Sequence, residues 1–252
     1  MRAAGTGWRA ARSERMRLLL ISNSTLHGGG YLDHCAGAIA SFLAPPAARV
    51  LFVPYAAFDR DGYAAKARRR FEQMGFELAS VHDAPEGPAR AAENADALFI
   101  GGGNTFRLLQ ALWREKLVEP IQQRVRGGMP YVGTSAGSNV ACPTIKTTND
   151  MPIVEPPTFA ALDLVPFNIN PHYQDPVPGS THMGETREQR IAEFHEENVP
   201  AVVGLREGAW LLVEDRTVWL RGSTGARLFR RGEAPSEYAS GSRMDFLLSP
   251  KP

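Results

Sequence analysis

The sequence predicts an α/β fold in which helices cover both faces of a mostly parallel sheet, a three-layer αβα arrangement. Three observations predict it. Short apolar runs such as Leu18-Leu19-Leu20-Ile21 and Val50-Leu51-Phe52-Val53 lack the polar alternation of a half-solvated strand, so they read as strands buried on both faces. Helical patterns separate these runs through residue 125, as crossovers between parallel strands require. After about residue 200 the pattern changes to short strands joined by tight turns, which points to an antiparallel finish.

The elements follow in order. Residues 18–21 make a first strand that ends in the polar loop Ser22-Asn23-Ser24-Thr25. Glycines at 28–30 lead into a helix over 31–43, which Pro45 and Pro46 stop. A second buried strand covers 49–54, and a helix over 61–74 ends at Gly75. Strands at 76–81 and 95–100 come next, the latter running directly into Gly101-Gly102-Gly103-Asn104. Helices over 105–112 and 117–125 lead to a strand at 129–132 and a helix opening at 136–141. The apolar run 164–167 reads as a strand, and short strands follow at 201–205, 209–213, 218–221 and 226–230.

Composition bounds the function classes. With 252 residues, 43% hydrophobic and 22% charged, the chain can bury a sizeable core; a single domain over 16–252 is expected, with 1–15 as a disordered extension. The net charge of +1 gives no electrostatic case for a nucleic-acid partner. Lys66, Arg68, Arg69 and Arg70 form the only dense basic run, and a solvated helix face accounts for them. The apolar stretch after the N-terminal arginines is confined to 18–21, too short for a signal peptide or a membrane span. Cys35 and Cys142 are not at metal-ligand spacing, so two buried free thiols in a reducing cytoplasm are expected, with no metal.

The chemistry centres on Gly133-Thr134-Ser135-Ala136-Gly137, which fits G-x-S-x-G between a strand and a helix. A serine on so sharp a turn has its hydroxyl pushed out over the end of the sheet. The flanking glycines permit close backbone approach, and the helix N-terminus offers N–H groups to an oxyanion. The plainer reading is a glycine-rich turn with an exposed serine. A serine nucleophile also needs a base and an orienting acid. Of six histidines, His172 stands out, because Asn168-Ile169-Asn170-Pro171-His172 follows the 164–167 run and would hold it in a loop at a strand's carboxyl end. Surface or structural roles are expected for the other five. His195-Glu196 does not complete a helical zinc motif, since position 199 is valine. Gly101-Gly102-Gly103-Asn104 reads either as a flexible turn or as glycine N–H groups aimed at an oxyanion beside that of Ala136.

Together, Ser22-Asn23-Ser24-Thr25-Leu26, Gly101-Gly102-Gly103-Asn104-Thr105-Phe106, Gly133-Thr134-Ser135-Ala136-Gly137 and the segments 142–152, 169–172, 184–190 and 204–208 resemble the peptidase E, or aspartyl dipeptidase, family. The resemblance spans about residues 16 to 230, in order and without large gaps. It implies a fold related to class I glutamine amidotransferases and a metal-free cytoplasmic serine peptidase that removes N-terminal aspartate from dipeptides. By the same resemblance Ser135 is the nucleophile and His172 the base. Asp150 and Glu207 both match family positions for the acid; Glu207 is preferred because it follows a strand at its carboxyl end, and both are kept. The oxyanion would be held by backbone around Gly102, Gly103, Asn104 and Ala136. Arg187, at the start of a helix in Gly184-Glu185-Thr186-Arg187, is the candidate reader of the aspartate carboxylate. Family resemblance also suggests a homodimer. One departure is Thr134, where relatives often carry tryptophan, which bears on pocket shape. Rival readings are a cyanophycinase-like β-aspartyl peptidase, an α/β-hydrolase esterase using Ser135, Asp150 and His172 in chain order, and a non-enzymatic binding module. Against the esterase, 80 residues follow His172, farther from the C-terminus than that fold usually places its histidine. The binding module would be expected to lose Ser135 or His172.

Overall fold

The computed structural model describes residues 16–44, 49–176, 179, 181 and 183–249; the expected extension over 1–15 and the stop at Pro45 and Pro46 lie outside the described residues. The first half alternates as β1 (Arg17–Ile21), α1 (Ala36–Leu43), β2 (Arg49–Val53), α2 (Arg60–Gln73), β3 (Glu77–Ser80), α3 (Pro88–Asn94), β4 (Ala97–Ile100), α4 (Thr105–Arg114), α5 (Val118–Arg126), β5 (Tyr131–Thr134) and α6 (Ala136–Val140). The second half comprises β6 (Asn168–Tyr173), α7 (Arg187–Glu197), β7 (Val202–Arg206), β8 (Ala209–Glu214), β9 (Thr217–Gly222), β10 (Ala226–Phe229) and β11 (Ser236–Tyr238).

Seven strands form one sheet in the order β3-β2-β4-β5-β1-β8-β9. The first five pair in parallel, and β8 and β9 add an antiparallel edge. Because side chains alternate along a strand, each buried run feeds two cores. Leu18, Leu20, Ile100 and Tyr131 pack in one, and Leu19, Ile21, Phe99 and Val132 in the other. This is the predicted layered arrangement. A second sheet of four strands runs β11-β10-β7-β6, with β6 and β7 parallel. The antiparallel finish is therefore shared between two sheets.

Local chemistry sets the helix boundaries. Asp59 caps α2 by accepting the Gly62 N–H at 2.9 Å. Thr186 and Gln189 form a reciprocal capping box at the start of α7. The helix expected over 31–43 is shorter: Leu32 takes a left-handed φ of 59°, a single 3-10 turn covers Asp33–Cys35, and α1 begins at Ala36. The run 164–167 is not a strand. The backbone ahead of it is tied to α6, with Leu162 N–H donating to Val140 and Leu164 N–H to Ala141, so sheet pairing begins only at Asn168. The short helix α3 and the polar edge strand β11 are additions with no apolar periodicity to announce them.

Buried amides then join the two halves. Asn139 and Thr147 both donate to the Ile169 carbonyl, and Asn168 and Asn170 donate to the carbonyls of Thr144 and Thr147. These bonds lash the 144–150 segment to β6, beside α6.

The tightest packing lies under residue 135. A Cβ on Gly133 would stand 2.6 Å from the Gly137 carbonyl oxygen, and one on Gly137 would strike the Ile100 carbonyl. Gly137→Ala is expected to cost about 2–3 kcal/mol by overpacking, with Tm falling by several degrees. A melting temperature within about 1 °C of the native protein would contradict this packing.

Candidate active site

Ser135 caps α6 directly after β5, with φ 51° and ψ −110°, a conformation that L-residues rarely adopt. It is held there by its surroundings. The Ser135 N–H donates to the Ile21 carbonyl at 3.0 Å, and the buried Ser138 hydroxyl reaches both the Ile21 and Gly133 carbonyls. The Tyr131 hydroxyl donates to the Gly137 carbonyl at 2.5 Å. The strain, of order 1–3 kcal/mol, is thus over-determined by hydrogen bonds on both sides of the turn.

His172 lies inside β6, not in a loop after it. The strand is irregular between Pro171 and Tyr173, and His172 carries a φ of 53°. This bulge turns the imidazole toward the end of the seven-stranded sheet. Its backbone N–H donates to the Ser22 hydroxyl at 2.9 Å, and that hydroxyl donates to the Leu205 carbonyl at 2.7 Å. One serine at the end of β1 therefore fixes both β6 and β7. Glu207 follows β7, and the next residue, Gly208 (φ 82°), donates its N–H to the Asn23 side chain at 2.9 Å.

Three side chains meet in line. His172 Nδ1 stands 2.6 Å from Glu207 Oε1, and Nε2 stands 2.9 Å from Ser135 Oγ. A carboxylate can only accept, so Nδ1 carries the proton and Nε2 accepts from the serine hydroxyl. The His172 and Glu207 side chains are 37% and 46% exposed, so their pairing orients the ring more than it stabilises the fold. His34 lies near Glu207, but burial lowers its pKa, and its neutral ring leaves the carboxylate's charge to His172.

The other predicted residues separate. Asp150 makes no hydrogen bond to His172. Its Oδ2 accepts from the Thr105 N–H (2.8 Å), the Thr105 hydroxyl (2.6 Å) and the Thr148 hydroxyl (3.2 Å). Gly102 packs on Ser135, where an added Cβ would lie 3.1 Å from the serine Cβ. Gly103 has φ 133° and lies against the Ala56 carbonyl, so a side chain is excluded there too. The Gly102 N–H faces the Tyr63 hydroxyl. Asn104 is engaged structurally: it caps α4 through Arg107 N–H and donates to the Met151 carbonyl. Ala136 is buried and begins α6, where its N–H has no partner within the helix. Arg187 begins α7 and makes no ion pair among the described residues. Burial and Arg190 lower its pKa, while Asp150 opposes them. Thr134 is fully buried behind the turn, so it packs the interior instead of shaping the pocket.

Ser135, His172, Gly102, Gly103 and Asp150 line one cavity of about 500 Å³. A larger, mainly apolar cavity of about 880 Å³ runs beside Trp113, Phe246 and Arg230 and contains none of the candidate residues. A second linear trio occurs elsewhere: the His82 ring lies 2.6 Å from Ser80 Oγ and 2.8 Å from Asp61 Oδ1. Ser80 is buried at the end of β3, and none of the three lines the cavity.

A family model described as peptidase family S51 matches residues 18–221. The chain belongs to peptidase family S51. A peptidase E from Streptomyces coelicolor is 57% identical over 233 residues, covering 92% of this chain and 95% of that protein. A probable alpha-aspartyl dipeptidase from Drosophila melanogaster is 47% identical, covering 92% and 97%. A peptidase E from Salmonella newport is 42% identical, covering 90% and 100%. Two crystal structures share the fold. A peptidase from an acI-B1 actinobacterium matches with TM-score 0.68 at 16% identity over 92% of this chain and 98% of that one. A putative peptidase E from Listeria monocytogenes EGD-e matches with TM-score 0.64 at 21% identity, covering 83% and 99%.

In this S51 peptidase the acid that reaches the histidine follows it in the chain, which is not the serine–acid–histidine order of an α/β-hydrolase. Sequence reasoning missed the clamping roles of Ser22 and Asn23. Their place at the end of a buried strand was the available signal, but the strands they clamp are distant in sequence. If Glu207 orients His172, Glu207→Gln should lower kcat/KM by about 10³- to 10⁴-fold, and Asp150→Asn should cost less. A far-downfield imidazole N–H proton resonance should be present in the native and Asp150→Asn proteins and lost in Glu207→Gln. The reverse ranking with both variants folded would assign the orienting role to Asp150.

Proposed function

We propose that this S51 peptidase is a serine dipeptidase that cleaves substrates with N-terminal aspartate, through an acyl-enzyme on Ser135. The observation that carries this reading is the Glu207–His172–Ser135 hydrogen-bonded chain at the cavity wall. As Ser135 Oγ attacks the scissile carbonyl carbon, its proton passes to His172 Nε2, and Glu207 stabilises the resulting imidazolium. The carbonyl oxygen becomes an oxyanion, for which the N–H groups of Gly103 and Ala136 are the donors. The Gly102 N–H is the weaker candidate, since it faces Tyr63. Collapse of the tetrahedral intermediate breaks the C–N bond, and His172 gives its proton to the departing amine. Water, deprotonated by the same imidazole, then hydrolyses the ester and frees Ser135.

Selectivity for aspartate rests on Arg187. A half-buried guanidinium that makes no ion pair among the described residues, close to the cavity-lining Asp150, gains from a carboxylate that enters beside it. The printed name of the Drosophila relative, a probable alpha-aspartyl dipeptidase, supports the same substrate class. A cytoplasmic location fits the two buried free thiols. Burial pushes Cys35 up to about 12 and Cys142 higher still, so neither acts as a nucleophile.

Ser135→Ala is expected to lower turnover of Asp-Leu by about 10⁴- to 10⁶-fold with the fold intact; substantial activity in a folded, uncontaminated variant would end the serine mechanism. In a panel of Asp-Leu, Asn-Leu, Glu-Leu, Leu-Leu and a simple ester, Asp-Leu should dominate. Arg187→Met should reduce kcat/KM on Asp-Leu by about 100-fold or more. An unchanged value would return Arg187 to a surface role.

A further inference from the structure

The basic run on α2 does not behave as one solvated face. Arg68 pairs with Asp83 and Arg70 with Asp33, each at 2.8 Å. Lys66 pairs with no carboxylate among the described residues. Its ammonium instead sits 4.5 Å from the centre of the Tyr31 ring, and the residue lines the same cavity as Ser135 and His172. Among the described residues it is the only lysine or arginine lining that cavity. A cation over an aromatic face is held in place without being neutralised. Tyr31 adds no negative charge of its own. Burial raises its pKa well above the ordinary phenol value, and its hydroxyl lies 3.4 Å from that of Tyr63.

The wall that carries Lys66 can be placed relative to the reaction. Tyr63 and Lys66 come from α2, and Ser24 and Tyr31 from the loop after β1, all lining the cavity. The start of that loop, Ser22 and Asn23, binds the backbone of His172 and Gly208. This is the histidine side of Ser135. Asp150 reaches the cavity from a different element, the 144–150 segment, which its own bond ties to the first residue of α4 and Asn149 ties to the Pro171 carbonyl. The departing amine must lie toward Nε2, which protonates it, so the leaving residue occupies the histidine side.

Resting on the aspartyl dipeptidase reading above, we infer that Lys66 is a specificity-determining residue that binds the free C-terminal carboxylate of the substrate's leaving residue. In a dipeptide that carboxylate is one residue from the scissile bond; in a longer peptide an amide takes its place. An ammonium on the leaving-group side therefore favours dipeptides by charge, where Arg187 favours aspartate on the acyl side. The two cations read opposite ends of one small substrate.

The test compares Asp-Leu with Asp-Leu amide, which differ only in that terminal charge, using native, Lys66→Met and Lys66→Arg proteins. The native enzyme should prefer the free acid by about tenfold or more in kcat/KM. In Lys66→Met that ratio should fall toward one, chiefly through a higher KM for Asp-Leu, and Lys66→Arg should restore most of it. A native enzyme that cleaves both substrates equally, or a Lys66→Met variant that keeps the native ratio or loses both activities in parallel, would overturn the assignment while leaving the dipeptidase reading intact. Failure of the native enzyme to cleave either substrate would instead overturn the aspartyl dipeptidase reading, and this inference with it.

Discussion

Backbone contact between β5, β4 and α6 is the constraint on which the site depends. Gly133 lies against the Gly137 carbonyl and Gly137 against that of Ile100, leaving no room for side chains where strand turns into helix. The chain can make so abrupt a reversal only if the residue between the glycines leaves the common backbone regions, and Ser135 does so at φ 51°. The bonds of Tyr131 and Ser138 then lock the turn. The hydroxyl of Ser135 is presented to the cavity because the backbone beneath it is crowded.

The reacting groups come from two sheets. Ser135 directly follows a strand of the seven-stranded sheet, whereas His172 lies in β6 and Glu207 just after β7, adjacent parallel strands of the four-stranded one. Such an arrangement needs a fixed joint, and the Ser22 hydroxyl supplies it by bonding the His172 N–H and the Leu205 carbonyl at once. The amides of Asn139, Asn168 and Asn170 reinforce the same seam by tying β6 to α6 and to the 144–147 segment. Their amide N–H groups are buried and hydrogen-bonded, and the sheet-to-sheet distance they set decides whether Nε2 meets Oγ.

What was legible in the sequence follows from range. The strands of the parallel sheet announced themselves as apolar runs, because burial on both faces leaves a signature in each strand alone. The Ser135 turn was legible because its glycines and serine are contiguous. His172 was found, but its setting was misread. Nothing local distinguishes a bulged strand residue from a loop residue, and the apolar run at 164–167 packs through side chains while its neighbourhood bonds to α6. The choice between Asp150 and Glu207 was open for a similar reason. Asp150 lies in a polar loop and Glu207 just past a strand, and only the three-dimensional course of β6 and β7 brings Glu207 to Nδ1, while threonines at 105 and 148 hold Asp150. Lys66 was absorbed into a basic run, since pairing of Arg68 and Arg70 with Asp83 and Asp33 is a tertiary fact.

The trio of Ser80, His82 and Asp61 has the same three kinds of side chain as many hydrolytic centres, at comparable separations. Its backbone is relaxed, with Ser80 at φ −110° and ψ 137°, its serine is enclosed, and its carboxylate is almost fully in water. It ties the start of α2 to the end of β3. Interatomic distance alone would count two hydrolytic centres in this chain. Reactivity is instead a property of the scaffold, which at Ser135 holds a hydroxyl in an uncomfortable posture facing empty space, and at Ser80 lets the same atoms rest as mortar.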